Sequence, residues 1–342
     1  LSEKGHQIHI VIKRKDILED LLRESKIKYT NLLPKGRKDN IINIGFGQLI
    51  QNIKLFKYCY KNKIELLLGT SVAISHVGKL LSIPSINFSE DDFDVVPLYA
   101  KMAYPWATHI LAPKVCKMGK WKNKTIFYDG YQELAYLHKN HFIPEIKIAA
   151  KYIIIDKPYF LLRFAKLGAF HDSGIQGFSD KLIMKIIKIL KPFGNIYITS
   201  ERKLPSALSE YKIKINPTDI HHVIAYSKLY IGDSQTMAAE AAILGTPFIR
   251  FNDFVGRIGY LNELENKYCL GFGFKTNEVN QLLNKINELV KHKNLKKLFE
   301  RRKNIMLSDK IDYASFLIWF IDFYPKSINI IKKDSDFQNK FK

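Results

Sequence analysis

No apolar run in this sequence is long enough to span a bilayer, which argues against a membrane-spanning helix. No signal-peptide pattern opens the chain, though this excludes little in a sequence that starts at Leu1. Cysteine is scarce. Cys59, Cys116 and Cys269 are scattered, with no zinc-type spacing and no even-numbered disulfide frame, which points to a reducing, cytoplasmic setting. Acidic residues are few beside basic ones, 33 against 54, for a net charge of +21. The Lys residues are spread widely and cluster only at Lys114–Lys124, Lys291–Arg302 and Lys332–Lys342. Compositional drift accounts for this surplus best. Attraction to an anionic membrane face or to phosphate-bearing substrates comes next, and nucleic-acid binding last.

What the chain does have is apolar content, 46% of 342 residues, enough for two sizeable cores. Both halves alternate short strands with helices, the pattern of parallel sheets covered on both faces. In the first half the strands are expected at Ile8–Ile12, Glu65–Leu68, Ser85–Asn87, His109–Ala112 and Thr125–Phe127. The helices fall at Asp16–Glu24, Gly47–Lys61, Val72–Leu81 and Leu98–Tyr104. In the second half the strands are expected at Tyr159–Arg163, Asn195–Thr199, Lys212–Ile215, Leu229–Ile231 and Pro247–Phe251. Its helices fall at Ser179–Leu190, Thr218–Ser227, Gln235–Leu244 and Val279–Lys293. The fold class is therefore α/β, with two doubly wound Rossmann-like domains, residues 1–150 and 151–310, facing a cleft. An aromatic helix over 311–325 is expected to pack between them, and the basic tail 326–342 to be disordered. The opening residues read as the end of a helix capped by Gly5, so an upstream strand and helix are expected before Leu1.

The most informative stretch is Leu229–Phe248. An apolar strand enters the turn Gly232-Asp233-Ser234, and an Ala-rich helix follows. The free N–H groups and positive dipole end of that helix attract an anion. Ser234, Gln235 and Thr236 lie at its start. Glu240, a lone charge in a small apolar helix, lies one turn beyond Thr236, about 6 Å along the axis. That offset suits a diphosphate at the helix start and a ribose diol on the carboxylate. A plain Ser cap with core-packing alanines would leave the same pattern.

Other polar clusters also close strands. Arg163 could neutralise a diphosphate, and His171, followed by Asp172, could bond phosphate or sugar; a surface turn is the alternative. Ser200, in Thr199-Ser200-Glu201, offers hydroxyl and N–H groups, and Glu201 could contact ribose or base. His221 and His222 face apart on a helix, as packing or base-edge neighbours. Gly69, Thr70 and Ser71 open a helix suited to an acceptor's anionic or hydroxyl groups, with His76 in its second turn. Asn87–Asp94 carries four carboxylates whose mutual repulsion should raise at least one pKa. This makes Asp91 or Asp92 the first choice for a general base and His76 the second. The same cluster could also be a D-x-D metal site or a solvated loop. Tyr131 and Glu133 are expected to pack at the domain seam.

Together these segments resemble the family called domain of unknown function 354. The resemblance rests on Gly69-Thr70-Ser71, YDGYQELAYL at Tyr128–Leu137, LRF…HDSGIQG at Leu162–Gly177, ITSE at Ile198–Glu201 and IGDSQTMAAEAAILGTP at Ile231–Pro247. That family in turn resembles GT-B glycosyltransferases and UDP-N-acetylglucosamine 2-epimerases. The resemblance implies a diphosphate at Ser234, Gln235 and Thr236 and a ribose at Glu240, although Ser-Gln-Thr stands where Ser-Gly-Gly is usual. Two catalytic groups of the epimerases have no counterpart, because Gly69-Thr70-Ser71 and Leu162-Arg163-Phe164 replace their motifs. The implied activity is metal-independent transfer of a sugar from a UDP-linked donor to a cell-surface glycan or lipid-linked acceptor. The donor is a substrate, and neither an organic cofactor nor a metal is called for. The enzyme would be cytoplasmic, with peripheral contact at the inner membrane face. A UDP-sugar epimerase or hydrolase is the first alternative, and a non-catalytic basic binding protein the second.

Overall fold

A computed structural model describes residues 1–13, 17–34, 41–165 and 177–342. The chain divides into two compact units, one formed by Leu1–Asp129 with Ser315–Lys340, the other by Gly130–Ala314 with Phe341–Lys342. The passage from the first unit to the second falls at Asp129/Gly130, earlier than the boundary expected at 150.

In the first unit the elements run β1 (Val11–Lys13), α1 (Leu18–Glu24), β2 (Thr30–Leu33), α2 (Ile41–Asn62), β3 (Leu67–Gly69) and α3 (Val72–Leu81). They continue with β4 (Ser85–Phe88), α4 (Pro97–Ala103), β5 (His109–Pro113) and β6 (Thr125–Tyr128). All the pairings are parallel, but they form two separate sheets, β1-β2 and β3-β4-β5-β6. A cavity of about 640 Å³ is walled by the chain of β1 and of β3, with Ile10, Ile12, Leu55, Cys59, Leu67 and Ile74 among its lining. Burial on one side of it raises the Cys59 thiol to about 11, so this cysteine is an unreactive core residue. Gly5 takes the left-handed conformation (φ +86°) that its capping role requires. Helix α3 forms because Ser71, in extended conformation, accepts the Ala73 N–H (3.3 Å), and because Ala73, Ile74 and Val77 present one buried face.

The second unit contains α5 (Leu134–Leu137), α6 (Ile146–Ala149), β7 (Tyr159–Phe164), α7 (Asp180–Leu190), β8 (Asn195–Ser200), α8 (Ile220–Tyr226) and β9 (Leu229–Gly232). After these come α9 (Gln235–Ile243), β10 (Phe248–Phe251), α10 (Gly259–Asn266), β11 (Gly271–Phe274), α11 (Val279–Lys291) and α12 (Leu295–Asp309). Its strands make one parallel sheet in the order β11-β10-β9-β7-β8. Strand β9 is buried throughout and β7 nearly so, as strands covered on both faces must be. Helix α7 is capped by Ser179 and buries Leu182, Ile183, Ile186, Ile187 and Leu190 along one stripe, each worth roughly 1.5–3 kcal/mol. The register places Thr199, Arg163, Gly232, Arg250 and Gly273 side by side across the carboxyl end of this sheet.

The chain then returns to the first unit through α13 (Tyr313–Asp322) and α14 (Lys326–Lys333). The tail expected to be disordered is instead helical. In α14, Ile328 and Ile331 lie three residues apart and are buried together, while its lysines stay outside. Beyond it, Gln338 is buried and its Oε1 accepts the Asp129 N–H (2.7 Å). Helix α13 buries Phe316 and Phe320 and is assigned from Ser315 onward to the first unit. Of the strand expected at Lys212–Ile215, one bridge forms, Lys212 to Ile198. No described helix is long and apolar enough to cross a membrane.

Candidate functional site

Strand β9 ends at Gly232, where an added Cβ would lie 2.6 Å from the Tyr230 hydroxyl and 2.8 Å from the Arg163 carbonyl, so the turn into α9 requires glycine. Asp233 follows, nearly buried. Its Oδ1 accepts the Ala165 N–H (2.7 Å), and its carbonyl accepts from Asn252 Nδ2 (3.1 Å). Burial is the main influence on this carboxyl and raises it to about 6, against the opposing pull of the amide bonds and the nearby arginines.

Ser234 caps α9 in extended conformation, its Oγ accepting the Met237 N–H (3.4 Å). Its carbonyl takes the Ala238 N–H (3.2 Å). The N–H groups of Gln235 and Thr236 have no protein acceptor among the described residues, and Thr236 is exposed. Among the described residues this is the unsatisfied end of a helix, with partial positive charge, as an anion site requires. The Gln235 side chain is engaged elsewhere: its Oε1 accepts from Arg250 Nη1 (2.8 Å). Arg250 is fully buried in β10 and also forks onto Glu265, with Nη2 to Oε2 at 3.0 Å. Sequence reasoning missed this arginine, because it sits inside an otherwise apolar strand and its partners come from α9 and α10.

Glu240 is 7% exposed. Its Oε1 accepts from the Tyr136 hydroxyl (2.9 Å) and lies 3.0 Å from His221 Nε2. The Tyr136 ring, 42% exposed, lies against the His221 imidazole with centroids 5.5 Å apart. Glu240 Oε2 has no hydrogen bond among the described residues, so the carboxylate is fixed through Oε1 alone. His222 points elsewhere and accepts the Glu145 N–H (2.9 Å) through Nδ1. Tyr136 lies within the YDGYQELAYL motif, but nothing in the spacing set it apart from Tyr131, which is buried and donates to Glu263 (2.6 Å).

Several expected ligands already have protein partners. Arg163 Nη2 donates to Glu201 Oε1, so the guanidinium charge is balanced at the strand ends. Ser200 Oγ closes its own turn, donating to the Arg202 carbonyl (2.8 Å) and accepting its N–H (3.2 Å). His171 and Asp172 lie outside the described residues.

In the first unit the candidates are held still more tightly. His76 Nε2 donates to the Met102 carbonyl (2.9 Å) and Nδ1 accepts from Asn52 Nδ2 (3.0 Å), which fixes the ring between three helices. Asp92, 1% exposed, accepts the Lys117 N–H (2.7 Å) and pins the acidic loop. These partners give His76 and Asp92 a place in the hydrogen bonding of the fold. Asp91 is half-buried, and its carbonyl accepts from Ser89 Oγ (3.2 Å). Gly69 adopts φ +141°, Thr70 is exposed, and Ser71 Oγ also accepts from Gln51 Nε2 (3.1 Å).

Solved structures share this architecture at low sequence identity. UDP-GlcNAc 2-epimerase from Neisseria meningitidis, bound to UDP-GlcNAc, superposes with a TM-score of 0.61 at 13% identity, covering 91% of this chain and 90% of that one. MnaA of S. aureus, solved with UDP, gives 0.63 at 12% identity, covering 94% and 98%. The spinosyn rhamnosyltransferase SpnG, complexed with spinosyn aglycone, gives 0.59 at 10% identity, covering 93% of each chain. The fold is thus the α/β, parallel-sheet architecture of GT-B glycosyltransferases and UDP-GlcNAc 2-epimerases. No curated protein matches the chain in sequence. The model of one family, described as "Protein of unknown function (DUF354)", matches residues 38–315, and with most of its length inside that match the chain belongs to the DUF354 family.

Proposed function

We propose that this protein is a glycosyltransferase that moves a sugar from a UDP-linked donor to a hydroxyl of a cell-surface glycan or glycolipid. The observation that carries the reading is the open start of α9 together with a carboxylate one turn further on. The Gln235 and Thr236 N–H groups suit a diphosphate, and Glu240 Oε2 suits a ribose hydroxyl. The leaving diphosphate would be stabilised by these fixed dipoles, which need no reorganisation as charge develops. Arg163 would add its charge on exchanging Glu201 for phosphate, a switch made easier because Glu201 is half exposed. Asp91, half-buried in the acidic loop after β4, is the proposed base for the acceptor hydroxyl, with Asp92 and His76 as the other candidates. A net charge of +21 would favour an anionic membrane leaflet carrying a lipid-linked acceptor.

The test is UDP titration by calorimetry. Glu240→Ala should weaken UDP binding about 10–100-fold, the range for losing one hydrogen bond to a charged group. Affinity equal to wild type would remove the nucleotide reading. Where UDP binds, a donor screen without acceptor separates the two chemistries. Rapid release of UDP and free sugar, or interconversion of UDP-sugars, would reassign the protein as a hydrolase or epimerase.

A further inference from the structure

Three ligand-type side chains meet in the second unit, away from α9. His138 and His141 lie in the turn that follows α5. The turn is closed by the His138 carbonyl, which accepts from the His141 N–H (2.8 Å) and the Phe142 N–H (3.0 Å). This brings both imidazoles to one side, with ring centroids 6.1 Å apart. The third member, Asp312, comes from the segment after α12. Its oxygens lie 2.8 and 2.9 Å from His141 Nε2 and 3.8 Å from His138 Nδ1. One donor atom from each of the three falls within 4.8 Å of the others.

These separations bracket the ~3.3 Å edge of a tetrahedron whose metal–ligand bonds are about 2.0–2.1 Å. An ion could therefore sit among the three once His138 Nδ1 exchanges the Asn140 N–H (3.4 Å) for the metal. The surroundings hold the ligands in place. Asn140 Nδ2 donates to Asp312 Oδ2 (3.1 Å), an outer hydrogen bond of the kind that orients ligating carboxylates. The Asp312 N–H donates to the Phe341 carbonyl (2.7 Å). Two residues earlier, Lys310 Nζ lies 2.9 Å from Glu263 Oε2. His138 and Asp312 are buried, whereas the His141 side chain is one-third exposed, which leaves a solvent-facing route to a fourth coordination position.

We infer that His138, His141 and Asp312 form a binding site for a divalent transition-metal ion, zinc above all, which clasps the turn at 138–142 to the chain at 310–312. Two imidazoles and a carboxylate are a donor set that suits zinc and excludes the hard, all-oxygen preference of magnesium or calcium. The clasp joins residues 171 apart in sequence. It would also steady the turn just after Tyr136, the residue that holds Glu240. Sequence spacing could not show the site, because the His-x-x-His pair lacks a third ligand until the fold delivers Asp312.

The test uses the untagged full chain, stripped of metal with a chelator and free of nucleotide, so its outcome is independent of UDP binding. Zn²⁺ is titrated in competition with a chromophoric chelator, and Co²⁺ serves as a spectroscopic stand-in. The expected result is one Zn²⁺ per chain with a micromolar or tighter Kd, visible Co²⁺ bands of a low-coordinate site, and a melting temperature that rises with free zinc. Because His141 is partly exposed, His141→Ala should fold. It should weaken zinc by more than the ~10–100-fold typical of losing an outer-sphere contact, and His141→Cys should restore binding. Absence of stoichiometric binding in the wild type, or affinity unchanged in His141→Ala, would overturn the assignment.

Discussion

The two units handle the same materials differently. In the second, five parallel strands make a single sheet, and its earliest strand, β7, lies inside it between β8 and β9 with nearly every residue buried. In the first, β1-β2 and β3–β6 are two sheets, and a cavity of about 640 Å³ runs along the chain of both β1 and β3. Strands β1 and β3 each bury a single residue, although their sequences are as apolar as those of the second unit. The polar residues at the strand ends differ in the same sense. In the first unit Ser71, His76 and Asp92 are closed into bonds with Gln51, Asn52, the Met102 carbonyl and the Lys117 amide. In the second unit a helix start and a carboxylate oxygen at α9 have no hydrogen-bond partner among the described residues. Polar residues at strand ends are therefore not equivalent evidence of a site; what distinguishes them is whether the fold itself uses up their hydrogen-bonding capacity.

The largest effect that would sharpen this contrast is expected at Arg250. Arg250→Leu leaves Glu265 as an uncompensated, largely buried charge and should cost the second unit about 3–5 kcal/mol, read from urea unfolding. A loss below about 1 kcal/mol would mean that the buried pair does not hold the floor of the α9 site. Asp91→Asn should lower turnover about 10²-fold or more while UDP affinity stays unchanged. His76→Gln should lower stability, with turnover per folded molecule retained. Equal losses of turnover in both would restore His76 to the chemistry.

Asp233 supplies a pH signature. Its folded pKa, about 6, lies above the ordinary carboxylate value, so between about pH 4 and 6 the native state binds a proton that the unfolded chain has released. The resulting stability is fully present below about pH 4 and is lost as pH rises through about 6. Relative to Asp233→Asn, the wild type should therefore lose on the order of 2 kcal/mol between pH 4.5 and pH 7.5. Parallel curves for the two proteins would place the ionised carboxylate in a more polar setting. The smallest effect comes from the two helix caps. Ser71→Ala and Ser234→Ala should each cost about 1 kcal/mol, yet only Ser234→Ala should also weaken UDP binding. Weakening by both would erase the distinction between the units.

Much of the fold was legible because it rests on local pattern. Nearly all the expected strands and helices form, since a buried parallel strand needs a short apolar run and a helix needs a 3.6-residue stripe. The elements overlooked have weak local signals. Strand β11 is Gly-Phe-Gly-Phe, which reads as a turn until β10 pairs with it. Helix α12 buries only Leu295, Phe299 and Met306 among many charges. The tail looked disordered by composition, but its two isoleucines supply enough apolar surface once the first unit is there to cover them.

The sequence by itself determined the α/β alternation, the Ser234 cap and the placing of Glu240 in the second turn of α9. All of these depend on residues a few positions apart. Only the tertiary structure decided that Tyr136 holds Glu240 with His221 beside it, that Arg250 reaches Gln235, and that Asp312 joins His138 and His141. It also decided which partners His76 and Asp92 bond to. The reason is physical: hydrogen bonds and ion pairs join atoms about 3 Å apart in space, and for these residues the partner lies up to 174 positions away along the chain, where no local pattern can signal it.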